Sequence, residues 1–248
     1  MESIFDAVDR RPAFCYTQHA EIAHVSEKRE EIGVADRVYA VITADIVGST
    51  EYYKANGKPL RPRLLEALEK VNARHAEALA VRFTITLGDE VQGLVTNPAD
   101  SPRVVYDLRL QLSPLKCRIG VGVGSIVSDL VESTAQMEGA AFSLSREALD
   151  ATRMLKSGLT AYRAENKGVE NAANAVMPLV DAVQSRWTDK QWEAVRLYSE
   201  HKDLAKAGHA LGVALQSVDD RLRPTHWQDV EESLRCLGDV IARSGCSG

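Results

Sequence analysis

Apolar positions along the chain follow two regimes, strand and helix periods alternating at first and helix periods alone to the end. Val38 to Ile42 is an unbroken apolar run, the pattern of a strand buried on both faces. It stops at Asp45. Residues 51–59 contain Asn56-Gly57 and Pro59, which predict a loop. Leu64, Leu65, Leu68, Val71 and His75 then recur at helical spacing. Val81, Phe83, Ile85 and Leu87 alternate with Arg82, Thr84 and Thr86, which predicts a half-buried strand. Gly88-Asp89-Glu90 is a tight turn into a hairpin partner, Val91 to Val95. Ser101 and Pro102 read as the N-cap and first residue of an amphipathic helix carrying Val104, Val105, Leu108 and Leu112, and Pro114 ends it. Ile119, Val121 and Val123 alternate with glycines, a strand whose missing side chains permit close approach of a backbone or a ligand. A helix from Gly139 to Leu155 ends near Gly158, and Leu159 to Ala164 adds an edge strand.

The first six of these elements are the ferredoxin-like βαββαβ arrangement. The expected fold class is therefore α+β, a palm followed by an all-α region. After Asn166-Lys167-Gly168 the pattern is helical throughout. Val169 to Gln184 is one helix, with a bend expected at Pro178. Thr188-Asp189-Lys190-Gln191 is a capping box. Gly208, Gly212 and Val218 resemble, in spacing, the turn and second-helix core of a sigma-factor-like helix-turn-helix. Residues 226–243 form a last helix. The expected division is an N-terminal arm (1–36), a palm (37–165), a linker helix (166–185) and a helix-turn-helix-like helical domain (186–248).

Composition narrows the setting. The 248 residues are 45% hydrophobic and 26% charged, ordinary for a globular chain. A net charge of −5 gives no overall pull toward nucleic acid or an anionic membrane. No stretch has the length and apolarity to span a bilayer, and the N-terminus lacks the pattern of a secretory signal, so a cytoplasmic location is expected. Cys15, Cys117, Cys236 and Cys246 lack metal-ligand spacing and read as reduced thiols. His75 has no second histidine at i±4 and reads as a core-edge residue.

The candidate chemistry lies in Ala44-Asp45-Ile46-Val47-Gly48-Ser49-Thr50 and Leu87-Gly88-Asp89-Glu90. Each puts an aspartate at the end of an apolar run, where it needs hydration or partners. Two such carboxylates brought together repel unless a cation lies between them. Gly48, Ser49 and Thr50 offer backbone N–H groups and hydroxyls where a loop enters a helix, which suits a phosphate. A divalent metal with a nucleotide triphosphate is the simplest pairing.

These residues also carry a resemblance. Val41 to Thr50 is similar to the first metal-binding strand of class III nucleotidyl cyclases. Leu87-Gly88-Asp89-Glu90 resembles the second metal-aspartate hairpin of those enzymes and of their diguanylate cyclase relatives. Arg118 to Gly124 resembles the strand that follows. With Met137 to Phe142 and Arg146 to Leu149 added, the chain is most similar to the SatD family, over roughly residues 37–165. The resemblance implies a cyclase-like palm, Mg²⁺ or Mn²⁺ at Asp45 and Asp89, and contacts to a purine nucleoside triphosphate from Ile46, Val47, Gly48, Ser49, Thr50, Gly88 and Gln136. It implies a catalytic role for Arg146, one residue short of the usual spacing, and a homodimer in which Arg146 reaches the partner's site. The glycine strand and the helix carrying Arg146 are the expected contacts of that dimer. The chain departs from the cyclase pattern at Ile85, where those enzymes have a base-reading lysine, at Gln136 in place of an aspartate, and at Ser143 in place of an asparagine. Arg146 also has a plainer reading, as a surface ion-pair residue.

For the helical region, Gln216, Ser217, Arg221 and Arg223 are the residues a recognition helix would use on DNA, but Asp219 and Asp220 accompany them. Two roles stay open there, contact with DNA or protein and simple helical packing. For the whole chain the expected function is a Mg²⁺-nucleotide-binding regulator, with an active nucleotidyl cyclase and a structural adaptor as rivals.

Overall fold

The computed structural model describes residues 37–49, 52, 59–131, 133–155 and 159–245. The expected arm over 1–36, the loop over 53–58, Thr50, the helix stop at Gly158, Cys15 and Cys246 lie outside them.

Five strands form one sheet in the order β2-β3-β1-β4-β5, with β1 Val38–Ile46, β2 Leu79–Leu87, β3 Glu90–Val95, β4 Cys117–Ser125 and β5 Thr160–Ala164. All neighbours are antiparallel except β4 and β5. Helices α1 (Arg61–Arg74) and α2 (Ser101–Leu112) complete the βαββαβ palm, and α3 (Ala140–Thr152) leads into β5. Five more helices follow: α4 Lys167–Gln184, α5 Asp189–His201, α6 Leu204–Leu211, α7 Leu215–Leu222 and α8 Trp227–Gly245. The α+β class and the all-α C-terminal region are as expected.

Strand alternation sorts β1 into two faces. Ala40, Ile42, Ala44 and Ile46 join the main core with α1 and α2, while Tyr39 and Val41 pack with Met137 and Ala141 on the α3 side. The strand runs on through Asp45 to Ile46, further than its apolar run, because β4 pairs with it over that whole length.

Glycines set how α3 meets the sheet. A Cβ at Gly120 would stand 2.2 Å from the Leu149 nitrogen, and one at Gly122 would stand 2.1 Å from the Ala141 carbonyl oxygen. The backbone of α3 therefore lies directly on β4. This resolves the glycine strand in favour of close backbone approach within the chain. It also corrects the expectation that the strand is a dimer contact, since β4 is internal, between β1 and β5, with these glycines covered by α3.

Helix α2 departs from its pattern. Every residue but Arg103 is buried, where an amphipathic helix was expected. One side faces the sheet and the other faces α5 and α8, so only Arg103 meets water. Its start differs too. Asn97 caps a 3₁₀ turn, Pro98–Asp100, and Ser101 is the first helical residue, its hydroxyl donating to the Pro98 carbonyl.

The main core continues without a break from the sheet into the C-terminal helices, through Met177, Ala194, Val218 and Leu237. The helix expected as a linker packs on β5 and α8, with Met177 1% exposed. Arg109 of α2 and Asp181 of α4 form a buried ion pair; Thr160 of β5 accepts from Arg109 at 2.7 Å, and its own N–H donates to Asp181 at 2.7 Å. The Thr188 capping box forms as expected. Between α6 and α7 the chain turns at Gly212 (φ 66°), and Gly208 leaves room for the Val213 carbonyl. His75 is a core-edge residue, 2.6 Å from Asp107, which also receives Arg74.

Gly122→Ala should lower stability by about 1–3 kcal/mol or more, the usual cost of overpacking. Urea unfolding followed by circular dichroism measures it; an unchanged midpoint would mean that α3 is not seated on β4 as described.

Candidate functional site

The polar groups of the α3 side gather at one end of the sheet. β1 sends Thr43 and Asp45 to that face, and β3 sends Gln92 and Glu90. Gln92 Nε2 donates to Thr43 Oγ1 at 2.9 Å, and Thr43 Oγ1 lies 3.0 Å from Ser145 Oγ on α3. This buried chain ties β3, β1 and α3 together beneath the charged end.

Asp45 is half-buried. In the β1–β4 register it stands opposite Arg118. Its Oδ2 is 3.9 Å from Arg118 Nη1 and 3.8 Å from Arg153 Nη2, close enough for attraction but too long for hydrogen bonds. Its Oδ1 is buried and has no hydrogen-bond partner among the described residues. Burial pushes the Asp45 carboxyl above the usual carboxylate range; the two arginines pull it down, and the charges of Asp89 and Glu90 push it up again.

Asp89 sits at the tip of the β2–β3 hairpin, after Gly88, whose φ of 61° suits the turn. Glu90 is committed elsewhere. It forms a two-pronged ion pair with Arg146 of α3 and accepts from Thr86 Oγ1 at 3.0 Å. The bond to Glu90 raises the Arg146 pKa further. Arg146 is thus held by its own chain, beside the carboxylates, with half of its side chain exposed.

The remaining expected nucleotide residues divide. Ile46 points into the core. The Val47 N–H donates to the Lys116 carbonyl at 2.8 Å, so it is not free for a phosphate, which corrects that part of the expected loop. Gly48 is exposed in a left-handed turn (φ 73°), and the Tyr52 N–H returns to its carbonyl. Ser49 begins the helical turn that follows. Gln136 is exposed on a 3₁₀ turn, Thr134–Gln136. The next residue, Met137, packs with Tyr39 and Val41, toward the end of β1 opposite Asp45. The structure therefore gathers Asp45, Asp89, Gly88 and Arg146 and sets Gln136 apart. On α7, Gln216 and Ser217 are exposed, Arg221 is half-buried, and Arg223 is paired with Asp219.

Arg118 and Arg153 were missed by sequence reasoning. A charged residue near the start of the glycine strand was a signal for Arg118, but only the strand register sets it against Asp45. Arg153 lies at the end of α3, two helical turns after Arg146, and gave no separate signal.

Among the described residues no group of three or more His, Cys, Asp or Glu side chains is placed to hold a metal. Two carboxylates are nonetheless sufficient for Mg²⁺, which keeps several waters and takes its other oxygens from substrate phosphates. The buried Asp45 oxygen, without a partner among the described residues and under the repulsion of the Asp89 charge, fits such a cation.

Comparison with known proteins adds the following. The SatD family model matches residues 39–224, more than half of the chain. No curated protein matches. Among solved structures the chain is similar to a bacterial light-regulated adenylyl cyclase, at 16% identity and a TM-score of 0.38, over 61% of this chain and 81% of that one. It is similar to the adenylyl cyclase CyaB from P. aeruginosa, at 16% identity and a TM-score of 0.36, over 46% and 72%. It is also similar to the guanylyl cyclase domain of the RhoGC fusion protein from the aquatic fungus Blastocladiella emersonii, at 12% identity and a TM-score of 0.30, over 46% and 75%.

An unpartnered buried carboxylate is a cost to the metal-free protein. Asp45→Asn should therefore raise the melting temperature by a few degrees in the presence of a chelator. Differential scanning calorimetry reads it, and a fall of several degrees would mean that the Asp45 charge is well satisfied without a cation.

Proposed function

We propose that this chain, which belongs to the SatD family, binds a nucleoside triphosphate together with Mg²⁺ or Mn²⁺ and acts as a nucleotide-responsive regulator. The observation that carries the reading is the buried Oδ1 of Asp45, without a partner among the described residues, at a sheet end where the charge of Asp89 is felt. Asp45 and Asp89 would hold the cation. Bound there, the cation supplies the positive charge that offsets two carboxylates and a triphosphate.

The chain's own residues account for the rest. Arg118 and Arg153 make no hydrogen bond to Asp45, so both could turn toward phosphate oxygens, Arg153 exchanging its exposed ion pair with Asp150 at 3.3 Å. The turn at Gly48 and Ser49 lets a phosphate approach closely. The Gln92–Thr43–Ser145 chain fixes α3 against β1, which keeps Arg146 and Arg153 at the carboxylate end.

Regulation is favoured over turnover by the state of Arg146. Its guanidinium is engaged by Glu90 of the same chain, so it is not free to stabilise developing charge on a phosphate. We place the output surface on α7, where Gln216 and Ser217 are exposed toward DNA or a protein partner, in a homodimer.

Isothermal titration tests the site. Asp45→Asn and Asp89→Asn should each weaken Mg²⁺-ATP binding at least tenfold while the fold is kept, and unchanged affinity in both would remove the site. Product analysis after prolonged incubation with Mg²⁺ and ATP or GTP should show no cyclic nucleotide; steady product formation would replace the regulator with an enzyme.

Specificity gives a further expected outcome. Ile85, at the position of the base-reading lysine, is half-buried and packs against the core. It cannot hydrogen-bond a base, and an apolar contact separates analogues weakly. ATP and GTP affinities should agree within about a hundredfold, as read by the same titration; a larger gap would require a base-reading group elsewhere.

A further inference from the structure

A second opening lies next to the carboxylate end, between the palm and the C-terminal helices. It is a cavity of about 370 Å³, within the size range of small-molecule sites. Three features of its lining point to a ligand; the second shares Arg118 and Arg153 with the triphosphate reading above, and the other two are independent of it.

The first is a buried donor without an acceptor. Gln184, at the end of α4, is 2% exposed. Its Oε1 accepts from Arg109 Nη1 at 3.2 Å. That bond fixes the orientation of the amide, because the flipped form would set N–H against N–H. Nε2 is left with no partner among the described residues. A buried amide donor in that state is costly, and a ligand acceptor would satisfy it. Asp181 does not serve, since it already accepts from Arg109, Thr160 and the Leu159 N–H.

The second is charge. Lys116, Arg118 and Arg153 all line the cavity. The acids in the lining are Asp181, whose charge is met by Arg109, and Asp189. Within the lining three cations face one exposed carboxylate; just outside it Asp150 lies 3.3 Å from Arg153, and Asp45 lies 3.8 Å from Arg153 and 3.9 Å from Arg118. The third is a flat apolar wall. Trp192 lines the cavity half-buried, its indole edge-on to Trp187 at 4.6 Å between ring centres. An indole of this kind stacks well against a planar ring.

We infer that this cavity is a binding site for a small anion carrying a flat, acceptor-bearing ring, of the nucleoside monophosphate class. The ring lies along Trp192 and takes the Gln184 Nε2–H, and the phosphate meets Lys116, Arg118 and Arg153. No metal is needed, because the cations are the protein's own. The site does not depend on the triphosphate reading. Sharing Arg118 and Arg153 with Asp45, it lies where an occupant would compete for the two arginines and reach α4 and α5 directly.

The test uses the full chain in EDTA, titrated with AMP, GMP, 3′,5′-cyclic AMP and inorganic phosphate, read by calorimetry and by tryptophan fluorescence. At least one nucleotide should bind and perturb the fluorescence, more tightly than phosphate alone. Lys116→Ala, an exposed change that leaves the core intact, should weaken that binding about tenfold. Gln184→Leu should weaken it at least as much, and Asp89→Asn should leave it unaltered. Absence of binding by every probe at millimolar concentration would overturn the inference. So would phosphate binding as tightly as the nucleotides, or binding that Asp89→Asn abolishes and Lys116→Ala leaves untouched, which would put the ligand in the triphosphate site.

Discussion

The missing Cβ atoms of Gly120 and Gly122 govern the charged end of the molecule. With a side chain at either place, α3 would stand further from β4, because its own backbone occupies the space a Cβ would fill. Everything that α3 contributes depends on that distance: the Ser145 hydroxyl that reaches Thr43, Arg146 on Glu90, and Arg153 near Asp45. The sheet supplies the acids and the helix supplies most of the bases. The glycines set the gap between them, so a steric feature of one strand decides the electrostatics of the site.

The balance that results is uneven. Glu90 has a bidentate arginine and a hydroxyl, whereas Asp45 has two arginines just beyond hydrogen-bond reach and one oxygen with nothing. Folding normally removes such groups from the interior or pairs them. Asp45 is kept at a sheet end, beside a hairpin that carries another carboxylate, so its unmet oxygen stands as a local cost of the fold.

Much of this was legible in the chain. The period-2 and period-3.6 patterns gave strands and helices in the right order, and the order alone gave the palm. Asp45 and Asp89 stood out because an acid at the end of an apolar run needs a reason. Other features depend on partners far away in sequence. Nothing local in α2 announces that its outer side is covered by helices that begin after residue 185, so it was read as amphipathic. Arg109 within it is explained only by Asp181, 72 residues later. Arg118 needed the strand register to acquire meaning. Gln136 was assigned by analogy of position, and the packing of its neighbour Met137 carried it to the other end of the strand.

The burial of α2 on both sides bears on modularity. A palm cut after residue 165 would leave α2 without the cover of α5 and α8 and Arg109 without its counter-ion. Such a fragment would have a sticky face where the intact chain has an interior. In this protein the palm and its helices are heritable only together. Recombination that swapped one without the other would have to rewrite a helix in the middle of the half it kept.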